Sequence, residues 1–329
     1  MMASGAGRSP LSDHLARFLD FKRAAGYHYR EEARVLSDLD CFLATHLPPD
    51  DPVITDRVVR GFVACRGGES ETTRAHRLSL IRQVCRFLVL EEPRTTVPEP
   101  RFLGIHRRGF VPRVLTRDEG HQFLEACPKL ASSPGSPLRG LVLGTALQVL
   151  YLTGMRAGEV LRLTRADVDL TAAVLRLRDT KFGKSRLVPL APGLGGRLRK
   201  YDAEMARHLA PRLPEAPFFP NRSGNAYSMT TLRAAFREAL GIAAVSPVSA
   251  GRRLRLHDLR HSFAVLRLLL WYEHGVDLDA KLPLLATYLG HVGLASSQRY
   301  LQLTEELAGE VMRRHQARFG HLIEEGGRS

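Results

Sequence analysis

Apolar residues recur at helical intervals through the first ninety positions. In LSDHLARFLDFKRAAG, Leu11, Leu15, Phe18, Leu19 and Phe21 fall at helical spacings, and Gly26 ends the run. EEARVLSDLDCFLATHL repeats the period and stops at Pro48 and Pro49. ITDRVVRGFVACR opens with a Thr or Asp cap. ETTRAHRLSLIRQVCRFLVLEE closes the set, with a polar face carrying Arg74, Arg77, Arg82 and Arg86. The pattern predicts a small basic helical bundle over residues 11–92, preceded by a loose tail at 1–10 that lacks the apolar core of a secretory signal.

Residues 93–114 hold four prolines, no sustained period, and Arg107, Arg108 and Arg113, as a basic linker would. A second domain over 115–325 begins with LTRDEGHQFLEAC, where Thr116 and Glu119 have the spacing of a capping box. A Pro/Gly/Ser loop at 131–137 leads into the apolar helix LRGLVLGTALQVLYLTG. VLRLRDTKFGKSRLVPL alternates apolar and polar residues on both sides of a Gly-containing turn and predicts a β-hairpin. Helices dominate from about Thr230 onwards, and there is no internal repeat. The expected fold is mainly α with a small β-sheet: a helical bundle followed by an α+β domain.

Length and composition, 329 residues with 44% hydrophobic and 25% charged, suit two globular domains. The charge changes the picture. Forty-eight Lys and Arg against 34 Asp and Glu leave +14, an excess that suits a polyanion such as nucleic acid. A membrane partner is disfavoured, because the most apolar run, FAVLRLLLW, is short and broken by Arg267. Cys41, Cys65, Cys85 and Cys127 have no CxxC spacing, which points to a reduced intracellular protein without a zinc ribbon.

Four stretches set polar residues against apolar flanks. TGMRAGEV places Arg156 and Glu159 three apart, and TKFGKSR places Lys181 and Lys184 at the hairpin tip. RLHDLRHSFA puts His257, Arg260 and His261 on one helical face, a crowding of cations that a bound anion would relieve. LGHVGLASSQRY places His291 nine residues before Tyr300. HDLRH also fits the two-histidine pattern of zinc metalloproteases, but Asp258 is shorter than the usual Glu base and Arg260 would sit beside the dication.

Taken together and in this order, TGMRAGE, the hairpin lysine, HDLRH and LGH followed by Tyr resemble the catalytic boxes of the tyrosine recombinase, or phage integrase, family. The resemblance covers the second domain, while the bundle and linker are similar in layout to that family's DNA-clamping N-terminal part. It implies a site-specific recombinase or integrase in which a tyrosine cleaves DNA to a 3′-phosphotyrosyl intermediate, with neither metal nor ATP nor any other cofactor. Residue by residue it implies Arg156 and Arg260 as phosphate clamps, with Glu159 orienting them from behind. Lys181 would be the acid for the leaving oxygen, His257 a base or donor, His291 a phosphate donor and Tyr300 the nucleophile. Lys181 is preferred over Lys184 because TKFGKSRLVPL resembles the family with its first lysine catalytic; Lys184, Arg74, Arg77, Arg82, Arg107 and Arg108 would then hold DNA. His261 would be structural, and Tyr288 a core residue.

The resemblance further implies double-stranded DNA with inverted-repeat core sites as partner, a tetramer on DNA, and a cytoplasmic, nucleoid-associated location. The stretch TEELAGEVMRRHQARFGHL, 304–322, has an apolar stripe that would dock on a neighbouring protomer or cover its own domain. A type IB topoisomerase would use similar chemistry to relax supercoils, and a catalytically silent DNA-binding protein could keep the same fold.

Overall fold

The computed structural model describes residues 9–64, 68–100, 102–104, 112–178, 185–249 and 251–290. They fall into two compact units divided near residue 110. The first is helical: α1 (Ser12–Ala24), α2 (Arg30–His46), α3 (Asp56–Val63) and α4 (Glu71–Leu88). Each turns its apolar stripe inward, so that Phe18, Leu39, Leu43, Phe62 and Ile81 share one core. Ser70 caps α4, its Oγ accepting from the Thr73 amide at 3.2 Å. Thr55 holds the N-cap position of α3, but its hydroxyl makes no capping bond.

Several expectations for this unit need correction. Arg77 is not on a polar face: only 5% of it is exposed. Its guanidinium pairs with Glu69 and donates to the Phe62 carbonyl at 3.3 Å, because α4 is packed on most of its circumference. Arg82, half-buried, donates from Nε to the Pro98 carbonyl at 2.6 Å, and Arg74, also half-buried, from Nε to the Val63 carbonyl at 3.3 Å; Arg86 is exposed. Phe21 lies on the flank of the α1 stripe and is 56% exposed, its ring 5.9 Å from Phe87. Ser9, within the stretch expected to be a loose tail, is buried and donates from Oγ to Asp40 at 2.5 Å. Thr96 donates its amide to the Ile54 carbonyl at 2.8 Å, which lays the first residues of the proline-rich segment on the bundle. Arg107 and Arg108 lie outside the described residues.

The second unit is built round α6 (Arg139–Thr153), apolar on all sides and buried accordingly. Before it comes α5 (Arg117–Ala126), started by the capping box of Thr116 and Glu119. Arg113, at the end of the segment read as a basic linker, is buried and bonds Glu119 at 2.5 Å. After α6 comes the short α7 (Ala157–Arg162), then β1 (Val168–Asp169), β2 (Val174–Leu177) and β3 (Arg186–Pro189). The three strands are antiparallel in the order β1-β2-β3, with Val174 opposite Pro189 and Leu177 opposite Arg186. The expected hairpin is therefore present; β1, two residues long, is too short to leave a pattern.

Helix α8 (Pro192–His208) went unrecognised in the sequence, since Gly193, Gly195 and Gly196 weaken its first turns. It forms because Leu194, Leu198, Tyr201 and Met205 bury one face in the core. Helix α9 (Met229–Ile242), capped by Ser228, is followed by a two-residue hairpin of β4 (Val248–Ser249) and β5 (Arg252–Arg253). The last described helices, α10 (Asp258–Glu273) and α11 (Leu278–Leu289), pack Ala264, Val265 and Leu268 against Leu282, Leu285 and Leu289. Cys85 and Cys127 are buried, which pushes both thiols up to about 12, whereas Cys41 is exposed. Among the described residues no helix is long and apolar enough to cross a membrane.

Candidate active site

Helix α6 ends in a left-handed residue, Gly154 (φ 64°), whose amide closes on the Leu150 carbonyl. A Cβ there would meet Phe263 Cδ1 at 2.5 Å, so only glycine lets the chain turn this close to α10. Two residues later Arg156 takes the N-cap position of α7, and Glu159 accepts from the Arg156 amide at 2.9 Å through Oε2. The same Glu159 accepts from Arg156 Nη1 at 2.9 Å through Oε1. Glu159 is buried, at 5% exposure, and a second cation reaches it: Arg186 of β3 donates Nη1 to Oε1 at 3.1 Å and Nη2 to Oε2 at 2.8 Å. Burial works to raise the Glu159 pKa. The Arg186 hydrogen bond, the Arg156 amide and the Arg186 charge outweigh it, and the group lies below the ordinary carboxylate value.

The C-terminal turn of α11 completes the cluster. Gly290 (φ 70°) caps it, and the carbonyls that a helix end leaves without intrahelical partners are taken by three arginines. Arg186 Nε donates to the Tyr288 carbonyl at 3.0 Å, Arg260 Nη2 to the Leu289 carbonyl at 2.7 Å, and Arg156 Nη2 to the Gly290 carbonyl at 3.0 Å. Arg260 also donates Nη1 to the Gly154 carbonyl at 2.8 Å and is 2% exposed. Cations suit the negative end of a helix dipole, and here they also tie α7, β3, α10 and the end of α6 to one point.

His257 is the N-cap residue of α10 rather than a residue within it, and its ring meets that of His261 edge-on at 5.0 Å between centroids. Asp258 is fully buried and accepts from the Arg255 amide at 2.7 Å. The His257 ring keeps some exposed surface. Its remaining desolvation, then the charges of Arg260, Arg255 and Arg156, set its pKa below the ordinary imidazole value against the opposing pull of Asp258. Neutral imidazole is thus the form favoured near pH 7.

A cavity of about 970 Å³ opens beside these groups. Arg156 and His257 line it, together with Arg233 and Arg237 of α9, Arg253 of β5 and Arg255, over an apolar floor that includes Phe236 and Leu240. Five arginines and a histidine around one cavity are the side-chain chemistry that suits a phosphate-bearing ligand. Among the described residues no cluster of His, Cys, Asp and Glu has the arrangement of a metal site.

Of the residues expected from the sequence, the structure brings together Arg156, Glu159, Arg260 and His257. Lys181, Lys184, His291 and Tyr300 lie outside the described residues, as does the 304–322 stretch. Tyr288 is half-buried and packs against the core, its ring stacked on Phe263 at 5.6 Å, and desolvation pushes its hydroxyl up to about 12. Sequence reasoning passed over Arg186, although an arginine between Ser185 and the apolar Leu187 and Val188 is an inward candidate on an alternating strand. It also passed over Arg233 and Arg237, four apart on an exposed face of α9 beside the buried Leu232 and Phe236.

Comparison with known proteins gives a match to the model of the phage integrase family over residues 113–306. The chain is 34% identical to the integrase/recombinase y4rE of Sinorhizobium fredii over 291 residues, 88% of this chain and 91% of that one. It is 30% identical to the tyrosine recombinase XerD of Caulobacter vibrioides, over 75% of this chain and 76% of that one. Among solved structures, the XerH site-specific recombinase bound to palindromic difH substrate superposes with a TM-score of 0.64 at 19% identity, covering 94% of this chain and 97% of that one.

Proposed function

The chain belongs to the phage integrase family and is a site-specific tyrosine recombinase; from that premise we propose that it exchanges strands between inverted-repeat DNA sites through a covalent Tyr300 intermediate. The observation that carries this reading is the convergence of Arg156, held by Glu159 at the start of α7, and of Arg260 from α10 on the last turn of α11. His291 follows that turn by one residue and Tyr300 by ten.

In the proposed step the Tyr300 phenolic oxygen attacks a DNA phosphorus. The P–O(Tyr) bond forms as the P–O5′ bond breaks, and the electron pair of the broken bond leaves on the 5′ oxygen. Lys181 gives that oxygen its proton, and neutral His257 takes or orients the phenolic proton. Arg156, Arg260 and His291 hold the non-bridging oxygens, whose charge develops in the transition state. One phosphoester replaces another, so reversal by a different 5′-hydroxyl rejoins strands without ATP, and fixed arginines supply the charge a metal would otherwise bring.

Arg233, Arg237 and Arg253 line the same cavity and suit the flanking phosphates, with Lys184, Arg107 and Arg108 as further DNA contacts. Exchange between two duplexes cuts four strands, one per protomer, which calls for a tetramer on DNA and for two-fold related half-sites. The stretch 304–322 is proposed to join neighbouring protomers in it. The work is done where chromosomal or mobile-element DNA lies, in the cytoplasm at the nucleoid.

The experiment is to trap covalent protein–DNA adducts on genomic DNA and sequence their ends. Adducts at inverted-repeat sites, lost in Tyr300→Phe while DNA binding persists, are the expected result. Adducts that persist in Tyr300→Phe would move the nucleophile elsewhere. Relaxation of single plasmids without exchange between paired sites would replace recombination with topoisomerase action.

A further inference from the structure

Arg186 opens β3, five residues after Lys181, and its side chain is only 11% exposed. It pairs fork to fork with Glu159 and gives its Nε to the Tyr288 carbonyl. Glu159 therefore accepts four N–H donors, two from Arg156 and two from Arg186. Arg186 also lies flat against Gly290, where a Cβ would meet Nη1 at 2.8 Å and Cζ at 3.1 Å. The strand that follows the hairpin lysines, the start of α7 and the end of α11 thus meet at one guanidinium.

A simple counter-ion would not need this geometry. Glu159 already has Arg156 as a cation partner, and lysine could supply a second charge without a planar fork. What the fork does is bond both carboxylate oxygens at once, each beside the single donor it receives from Arg156, and so fix the plane of the carboxylate. Without it, Glu159 could swing to close a two-pronged pair with Arg156 and draw that guanidinium off the cavity wall.

We infer that Arg186 is a positioning residue for strand cleavage: by holding Glu159 it keeps Arg156 aimed into the cavity where the scissile phosphate is proposed to bind. The inference rests on the mechanism of the preceding subsection. Arg186 does not line the cavity and is not assigned contact with DNA. Its second anchor, the Tyr288 carbonyl, fixes the same carboxylate to the end of α11, from which the chain runs on to His291 and Tyr300.

The test is a double-mutant cycle of Arg186→Lys with Glu159→Gln, in the full chain, on a nicked half-site taken from the mapped adducts. Three quantities are read: the urea midpoint, half-site affinity and the rate of covalent adduct formation. Arg186→Lys keeps its charge and is expected to slow adduct formation about ten- to a hundredfold, the scale of a misplaced catalytic group, with affinity nearly unchanged and a midpoint that is lowered but leaves the protein fully folded under assay conditions. In the Glu159→Gln background the same change should cost less than about threefold, because the carboxylate through which Arg186 acts is gone. An equal loss in both backgrounds overturns the inference, as does a loss matched by a fall in folded protein or in affinity, and so does near-normal cleavage by Arg186→Lys. Failure of the unaltered protein to form any adduct would instead overturn the recombination mechanism itself.

Discussion

Arg260 and Leu289 are joined by a 2.7 Å hydrogen bond from Nη2 to the backbone carbonyl, so that a side chain of α10 closes the last turn of α11. The same guanidinium holds the Gly154 carbonyl, 106 residues away, at 2.8 Å. One buried cation is thereby both a structural tie between three helices and a charge that acts on His257, which lines the cavity of the proposed phosphate site.

Removing it should show both roles. Arg260→Ala leaves two carbonyls without this donor and is expected to lower unfolding free energy by about 1–3 kcal/mol. It should slow covalent adduct formation at least about a hundredfold. Arg260→Lys is expected to regain part of the stability but little of the rate, since one ammonium cannot reproduce the planar reach to both carbonyls. Urea unfolding and adduct kinetics on the same preparations check this, and a normal rate in either variant would remove Arg260 from the site.

Two glycines set the approach of the backbone. Gly154→Ala forces a Cβ onto Phe263 at a left-handed position, where the backbone alone costs about 1–2 kcal/mol. Gly290→Ala meets Arg186 in the same conformation. Gly193→Ala, in the open first turn of α8, is the contrast: nothing lies within 4 Å of its Cβ, and it should raise stability by about 0.5–1 kcal/mol. Unfolding midpoints of the three variants should order themselves that way.

The pH dependence follows from the two depressed groups. Both His257 and Glu159 have folded-state pKa values below their ordinary ones, so in acid the unfolded chain binds protons that the folded chain does not. Stability is therefore complete above the ordinary value of each group and falls with pH through its folded value. The His257 loss begins below about 6.5 and the Glu159 loss below about 4.3. Urea midpoints at pH 7.5 and 5.5 should fall in the unaltered protein and fall less in His257→Gln. An unchanged slope in that variant would show that another group governs this window.

In the first unit, the buried and exposed arginines of α4 should separate cleanly. Arg77→Ala strips the Phe62 carbonyl and Glu69 of their donor and is expected to cost about 1–3 kcal/mol. Arg86→Ala, at the surface, should leave stability within about 0.5 kcal/mol while weakening DNA binding. Denaturation curves and gel shifts at one fixed salt concentration measure the two effects.

Adduct formation should be unaffected by a chelator and DNA affinity should fall steeply with salt, because the charge that meets phosphate comes from arginine and lysine side chains. Cleavage that stops in EDTA and returns with added divalent metal would require a different mechanism.

Local chemistry made much of the molecule legible in advance. The helical periods of α1 to α4, the Thr116–Glu119 capping box, the β2–β3 hairpin and the placement of Arg156, Glu159, His257 and Arg260 in separate polar boxes all depend on residues within a few positions of one another. Such spacings survive in a linear string because a helix or strand repeats them. What tertiary structure decided lies where distant segments meet. Arg77 carries the same charge as Arg86 yet is buried, since the packing of α3 against α4 rather than its own neighbours determines its surroundings. Helix α8 forms against the preference of its glycines because the core covers Leu194, Leu198 and Tyr201. Arg186 looked like one more polar residue of an alternating strand, and its importance rests on Glu159, 27 residues back, and on the carbonyl of Tyr288, 102 residues ahead. A hydrogen bond to a backbone carbonyl leaves no mark on the identity of the residue that accepts it, so the closing of α11 by three arginines could be seen only once the chain was folded.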